Sequence, residues 1–139
     1  MHATLAILTL QLALTANPAT TPAPPPQLEL HPLEHSLIER TNAERTRYGL
    51  PALAIDATLV RSARQHAAWM TANHVLQHTS AMVAENIAAG QPTVGRVVQD
   101  WMNSSGHRAN ILIPRYTRIG VAAYRTTNGT VYWCQQFLN

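Results

Sequence analysis

Seven histidines stand in a chain of 139 residues. His2 and His31 lie outside the stretch that can build a core, and His35 sits at the start of a helical segment. That leaves His66, His74, His78 and His107. His74 and His78 have the i, i+4 spacing that puts two imidazoles on one helix face, but Asn73 and β-branched Val75 disfavour a helix there. His78 in QHTS, Glu85 in AENIA and His107 in WMNSSGHRANIL are the set whose types could act together. Two imidazoles and a carboxylate can hold a zinc ion with positions left open for water, and the same groups can move protons. Their separations carry no metal signature of their own, and His107 can equally serve as a cap or turn residue. His66 falls on an apolar stripe and reads as a core histidine with satisfied nitrogens. Among nucleophiles, Ser80, Ser104 and Ser105 lack a nucleophile-elbow context, and Cys134 lies in a strand-like run without a base.

The elements that must position these groups are legible from periodicity. Residues 33–49 read as a helix closed by Gly49 and Pro51, with Leu37, Ile38, Arg45 and Tyr48 on one face and Asn42 among them. Polar side chains on a core stripe need partners, so Asn42 and Arg45 are expected to tie this helix to backbone elsewhere. Asp56 is a good N-cap for a helix over 57–73, whose stripe is Leu59, Ala63, His66, Ala67 and Met70. Thr93 starts a third helix running to about Ser104, with Val94, Val97, Val98, Trp101 and Met102 inward. Ser105 and Gly106 then turn the chain, HRANIL adds at most one helical turn, and Pro114 stops it. Arg108 and Asn110 are expected to satisfy local backbone groups. Asn128-Gly129, between YTRIGVAAYR and VYWCQQF, is a hairpin signal. Helices first and a closing hairpin give an α+β domain.

Composition bounds the rest. With 46% hydrophobic and 12% charged residues the chain can bury a core. The net charge is +3, every basic residue is arginine, and none forms a run, which argues against a nucleic-acid footprint. Leu5–Leu14 is an apolar run of signal-peptide length, too short to span a bilayer. NPATTPAPPPQ cannot be helix or central strand and reads as an extended linker. The expected organisation is a signal peptide at 1–19, a Pro-rich linker at 20–32 and one domain at 33–139, giving a secreted, extracellular or periplasmic protein without a transmembrane segment after signal removal. A single cysteine excludes an internal disulfide, so packing must carry the stability.

The segments NAERTRYGLPAL, ARQHAAWM, QHTS, AENIAAGQ, WMNSSGHRANIL, YTRIGVA and YWCQQF, in that order, make the chain resemble the CAP superfamily of cysteine-rich secretory, antigen 5 and pathogenesis-related proteins, in its cysteine-poor bacterial branch. The resemblance implies a three-layer α-β-α sandwich with a central antiparallel sheet and an open cleft. It implies that His78, Glu85 and His107 line that cleft and could bind zinc or another divalent cation. Ser104 stands where the family has a further glutamate, so the set of four is reduced to three. Trp101 would close the core. No single reaction follows from the family. The leading expectation is a module that binds a small molecule, lipid or cell-wall component. The alternatives are a zinc-dependent hydrolase of peptide or cell-wall substrates, or a structural wall-associated protein.

Overall fold

The computed structural model describes residues 27–139. The expected signal peptide and residues 20–26 of the proline-rich linker lie outside the described residues. Eight elements follow: α1 (Pro32–Arg47), β1 (Ala54–Ile55), α2 (Ala57–Asn73), β2 (Ala84–Ala89), α3 (Val94–Met102), α4 (Ser105–Leu112), β3 (Arg118–Arg125) and β4 (Val131–Leu138). The strands form one sheet in the order β1-β3-β4-β2. β2 and β3 both run antiparallel to β4, while β1 pairs parallel to β3. The sheet is therefore mixed and not purely antiparallel. The parallel edge is only two residues, Ala54 and Ile55, inserted between α1 and α2. No helix among the described residues is long and apolar enough to cross a membrane.

Successive strand side chains point to opposite faces, and the two faces carry separate cores. On one face Ala63, Ala67 and Met70 of α2 meet Ile87, Ala122, Tyr132 and Cys134. On the other, Leu37 and Ile38 of α1, Val97, Val98 and Trp101 of α3 and Ile111 of α4 meet Ala88, Val121, Trp133 and Phe137. This is the three-layer arrangement, with α2 alone on its side. The start of α2 presses so closely on β3 that a Cβ at Gly120 would stand 2.1 Å from the Leu59 carbonyl carbon. Only glycine lets the two backbones approach this far.

Local chemistry sets the boundaries. The Asp56 carboxylate accepts from the Thr58 and Leu59 amides at 2.8 and 3.0 Å and starts α2. His74 ends it in the left-handed region at φ 51°. Thr93 Oγ1 accepts from the Arg96 amide at 3.2 Å and starts α3. The hairpin loop carries Gly129 at φ 91°, in the conformation glycine supplies without strain.

Three local expectations are corrected. Tyr48 is half exposed, because α1 ends at Arg47 and the chain leaves the buried stripe one residue early. Ser105 and Gly106 do not turn the chain. They form the first turn of α4, which runs two turns with Ser104 at the N-cap. A glycine is cheap in a first turn, where the amides have no intrahelical partners to lose. The packed domain also begins before residue 33: Leu30 lies against the larger core, and Arg64 donates to the Glu29 carbonyl at 2.7 Å.

Asn42 joins α1 to the following segment twice. Its Nδ2 donates to the Leu53 carbonyl at 3.1 Å and its Oδ1 accepts from the Leu53 amide at 2.8 Å. Removing both bonds leaves a buried backbone pair unmatched, so Asn42→Ala is expected to cost about 1–3 kcal/mol in thermal or urea unfolding. Unchanged unfolding would contradict this role.

Candidate functional site

The site is built around β2, an edge strand whose consecutive residues Glu85 and Asn86 point to opposite faces of the sheet. Edge strands leave backbone groups unpaired. Here Asn110 Nδ2 donates to the Glu85 carbonyl at 3.2 Å and Trp101 Nε1 to the Ile87 carbonyl at 3.2 Å. The WMNSSGHRANIL segment is thereby fastened along the edge of AENIAA. Trp101 both fills the core and holds this edge. Arg108, by contrast, satisfies no local backbone group. Its Nη2 donates to the Tyr48 hydroxyl at 3.0 Å, and its guanidinium lies 5.1 Å from the Tyr48 ring centroid.

Glu85 is buried on the α2 face. Its Oε1 accepts from His78 Nδ1–H at 2.9 Å and from the Thr79 amide at 3.0 Å. Its Oε2 accepts from Gln136 Nε2 at 3.0 Å, with Cys134 Sγ at 3.5 Å. Burial pushes the carboxyl toward its neutral form. The bonds from Gln136, Thr79 and His78, with the nearby His66, outweigh that and leave its pKa below the ordinary value. A carboxylate occupied in this way has no free lone pair for a metal. It orients His78 instead, fixing the Nδ1–H tautomer and leaving Nε2 as the free nitrogen.

On the other side of the strand, Asn86 is fully buried. Its Nδ2 donates to the His107 carbonyl and to Gln135 Oε1, both at 3.0 Å, and its Oδ1 accepts from Asn110 at 2.9 Å. Gln135 Nε2 continues the network to Thr41 Oγ1 of α1 at 2.6 Å. These bonds place the first turn of α4, and with it His107. His107 Nδ1 is hydrogen-bonded to Ser104 Oγ at 2.8 Å. Burial, and then the charge of His78, push the His107 pKa below the ordinary histidine value. His107 thus feels the charge of His78, and each ring is pinned through Nδ1.

The expected set is therefore only partly assembled. His78 and Glu85 are in direct contact, and Ser104 and His107 are in direct contact. Among the described residues, no three His, Cys, Asp or Glu side chains converge as a metal-holding group. A hollow of about 290 Å³ beside His78 is lined by His66, Trp69, Gln77, Thr79 and Ser80, and neither Ser104 nor His107 belongs to its wall. The ring nitrogens of His78 and His107 left without a hydrogen-bond partner among the described residues are the two Nε2 atoms, and Glu85 acts through His78.

Several participants escaped the sequence reading. His66, read from the sequence as a core histidine, donates from Nε2 to the Gln77 carbonyl at 2.7 Å and so fixes the loop that presents His78. It stacks on Trp69 at 5.8 Å between centroids. Gln135 and Gln136 each reach a different face. Two adjacent glutamines inside an apolar strand-like run were the signal, since both must find partners. Cys134 carries no chemistry here: burial first, then Glu85, raises its pKa well above that of an ordinary thiol.

Acid should weaken the fold in two stages. His107 holds a depressed pKa when folded, so its contribution is present above the ordinary value of 6.5 and is lost as pH falls below it. Glu85 is also depressed, so its contribution is lost further down, as pH falls below 4.5. Melting temperature against pH should show both stages, and His107→Gln should remove the upper one. A flat profile between neutrality and pH 4.5 would contradict the assignment.

The family profile described as CAP, the cysteine-rich secretory protein family, matches residues 38–137. An uncharacterized protein of Bacillus subtilis, YkwD, is 40% identical over 122 residues, covering 76% of this chain and 46% of that protein. A crystal structure of an extracellular protein containing a SCP domain, from Bacillus anthracis, superposes with a TM-score of 0.69 at 27% identity, over 81% of this chain and 45% of the other. The chain thus spans about half the length of these relatives. A structure described as NaASP2 with Zn2+ shares the fold, with a TM-score of 0.61 at 13% identity over 76% of this chain and 78% of that one.

Proposed function

The chain belongs to the cysteine-rich secretory protein family, and from that premise we propose that it is an exported binding module whose working groups are the paired imidazoles of His78 and His107. Relatives described as extracellular or secreted support export. One observation carries the reading of the site: both rings are held through Nδ1 by buried or partly buried partners, leaving the two Nε2 atoms as the free donors. That is how proteins orient histidines for a ligand or cation.

A divalent cation would be held by His78 Nε2 and His107 Nε2, and it would supply a Lewis-acidic attachment point for an oxygen-bearing ligand. The protein's own residues do the rest. Glu85 fixes the ring of His78, Ser104 fixes the ring of His107, and Trp69, 43% exposed, offers a flat apolar face next to His78. The ligand this arrangement fits has an oxygen-rich end for the imidazoles and a ring or aliphatic face for Trp69. A small molecule, a lipid or a cell-wall fragment meets that description.

A serine-nucleophile mechanism, distinct from the zinc-dependent hydrolase alternative, would rest on the Ser104–His107 hydrogen bond. A nucleophile pair needs a base that is itself oriented by a third group. Among the described residues no hydrogen-bond partner holds His107 Nε2, so the bond is read as positioning the ring.

The test is zinc binding across pH, followed by proton NMR of the two rings. Both His78 and His107 signals should shift on zinc addition at neutral pH. Binding should fade below 6.5, because a ligating imidazole must be unprotonated. Zinc that shifts neither ring would refute the assignment.

A further inference from the structure

A second site lies in the groove between α1 and the α3–α4 end of the molecule, whose lining holds no histidine. This groove encloses about 600 Å³, and its lining includes Arg40, Arg47, Arg96 and Arg108. These are four of the chain's ten arginines, against one of its seven acidic residues, Glu44.

Glu44 neutralises only Arg47, at 3.2 Å across an exposed i, i+3 pair, and Arg96 is held through Nε by Asp100 at 2.9 Å. Such surface pairs are weak and leave the outer guanidinium donors available. The ion pairs of the described arginines belong to Arg47, Arg64, Arg96 and Arg118, so Arg40 and Arg108 keep uncompensated charge. Arg108 lies over the Tyr48 ring, which holds it at the groove wall. Arg40 lies beside the start of α3. Its Nη2 stands 3.8 Å from the position a Cβ on Gly95 would take, in the first turn of α3. That end of a helix carries partial positive charge. An anion between the guanidinium and the helix N-terminus would meet both.

We propose that this groove binds a soluble chain of phosphate groups, with Arg40 and the start of α3 holding one phosphate and Arg47, Arg96 and Arg108 its neighbours. Guanidinium forks and helix N-termini both match phosphate oxygens. Several cations spread along one groove suit a polyanion better than a single charge. The proposal uses neither His78 nor His107 and stands whether or not that pair binds a cation.

The probe is tripolyphosphate, titrated by calorimetry at low salt against the wild type, Arg40→Gln and Arg61→Gln. Arg61 is exposed on α2, across the sheet, and its loss changes net charge equally. Arg40→Gln should bind about tenfold more weakly, as expected for a lost charge-assisted contact, while Arg61→Gln should match the wild type. Equal losses in the two variants would show response to net charge alone and overturn the proposal. So would no binding by the wild type, or binding only to phosphatidylglycerol vesicles.

Discussion

Arg45→Ala is expected to cost about 3–5 kcal/mol, as loss of a buried side chain that both fills the core and satisfies several carbonyls does. Arg45 is 1% exposed. Its guanidinium donates to the Pro51 carbonyl at 2.9 Å, to Ile111 at 2.8 Å, to Ile113 at 3.1 Å and to Tyr116 at 3.2 Å. The Ile111 and Ile113 carbonyls belong to the end of α4, where a cation also meets the negative end of the helix. Burial lowers the pKa of Arg45 below its ordinary value without supplying a carboxylate. Alanine would leave these carbonyls without their donor and open a void in the core. For a domain of this size the melting temperature should fall on the order of 15–25 °C. Arg45→Lys should recover only part of this, because an ammonium cannot span the same acceptors. A fall of less than about 3 °C would show that the network carries little of the stability.

How much of this could be read from the sequence follows from the range of each interaction. α2 and α3 were legible because Asp56 and Thr93 are local caps and the apolar residues repeat at helical spacing. The hairpin was legible because Asn128-Gly129 interrupts two strand-like runs. Arg45 and Asn42 could be read as needing partners, but the partners lie in segments that only the tertiary fold brings near. β2 gave no alternating pattern, because Glu85 and Asn86 are both buried, one on each face. α4 looked too short, because Gly106 discourages a helix wherever its first-turn position is unknown. The parallel β1 edge is two residues long and makes no periodic signal at all.

The family motifs point to His78, Glu85 and His107, but how these side chains contact one another and their neighbours was not legible. Treating Glu85 as a ligand assumes a free carboxylate. Thr79, Gln136 and Cys134 crowd around it only because β2 pairs with β4 and the loop after α2 folds back through His66. Ser104 likewise looked like a missing charge at a family position. In the fold its hydroxyl meets His107 from the α4 N-cap.

The second large effect is the loss of cation binding. If His78 and His107 are the protein's two donors, His107→Ala removes half of them and should weaken zinc binding on the order of a hundredfold or more. The fold should largely survive, since His107 is only partly buried and Asn86 bonds to its backbone carbonyl, which alanine retains. Glu85→Gln asks a different question. A glutamine can still accept from His78 Nδ1–H, and the Gln136 amide, whose Oε1 has no partner among the described residues, can turn over to accept from the new amide. Loss of an orienting carboxylate typically reduces metal affinity by about 10–100-fold without abolishing it.

The most direct measurement is a calorimetric zinc titration of the wild type, His107→Ala and Glu85→Gln at neutral pH, with circular dichroism to establish that each is folded. The expected result is binding by the wild type, weakened binding by Glu85→Gln and near-complete loss in His107→Ala. Equal heats from the wild type and His107→Ala, or a folded Glu85→Gln with no binding at all, would contradict a site made of two imidazole Nε2 donors.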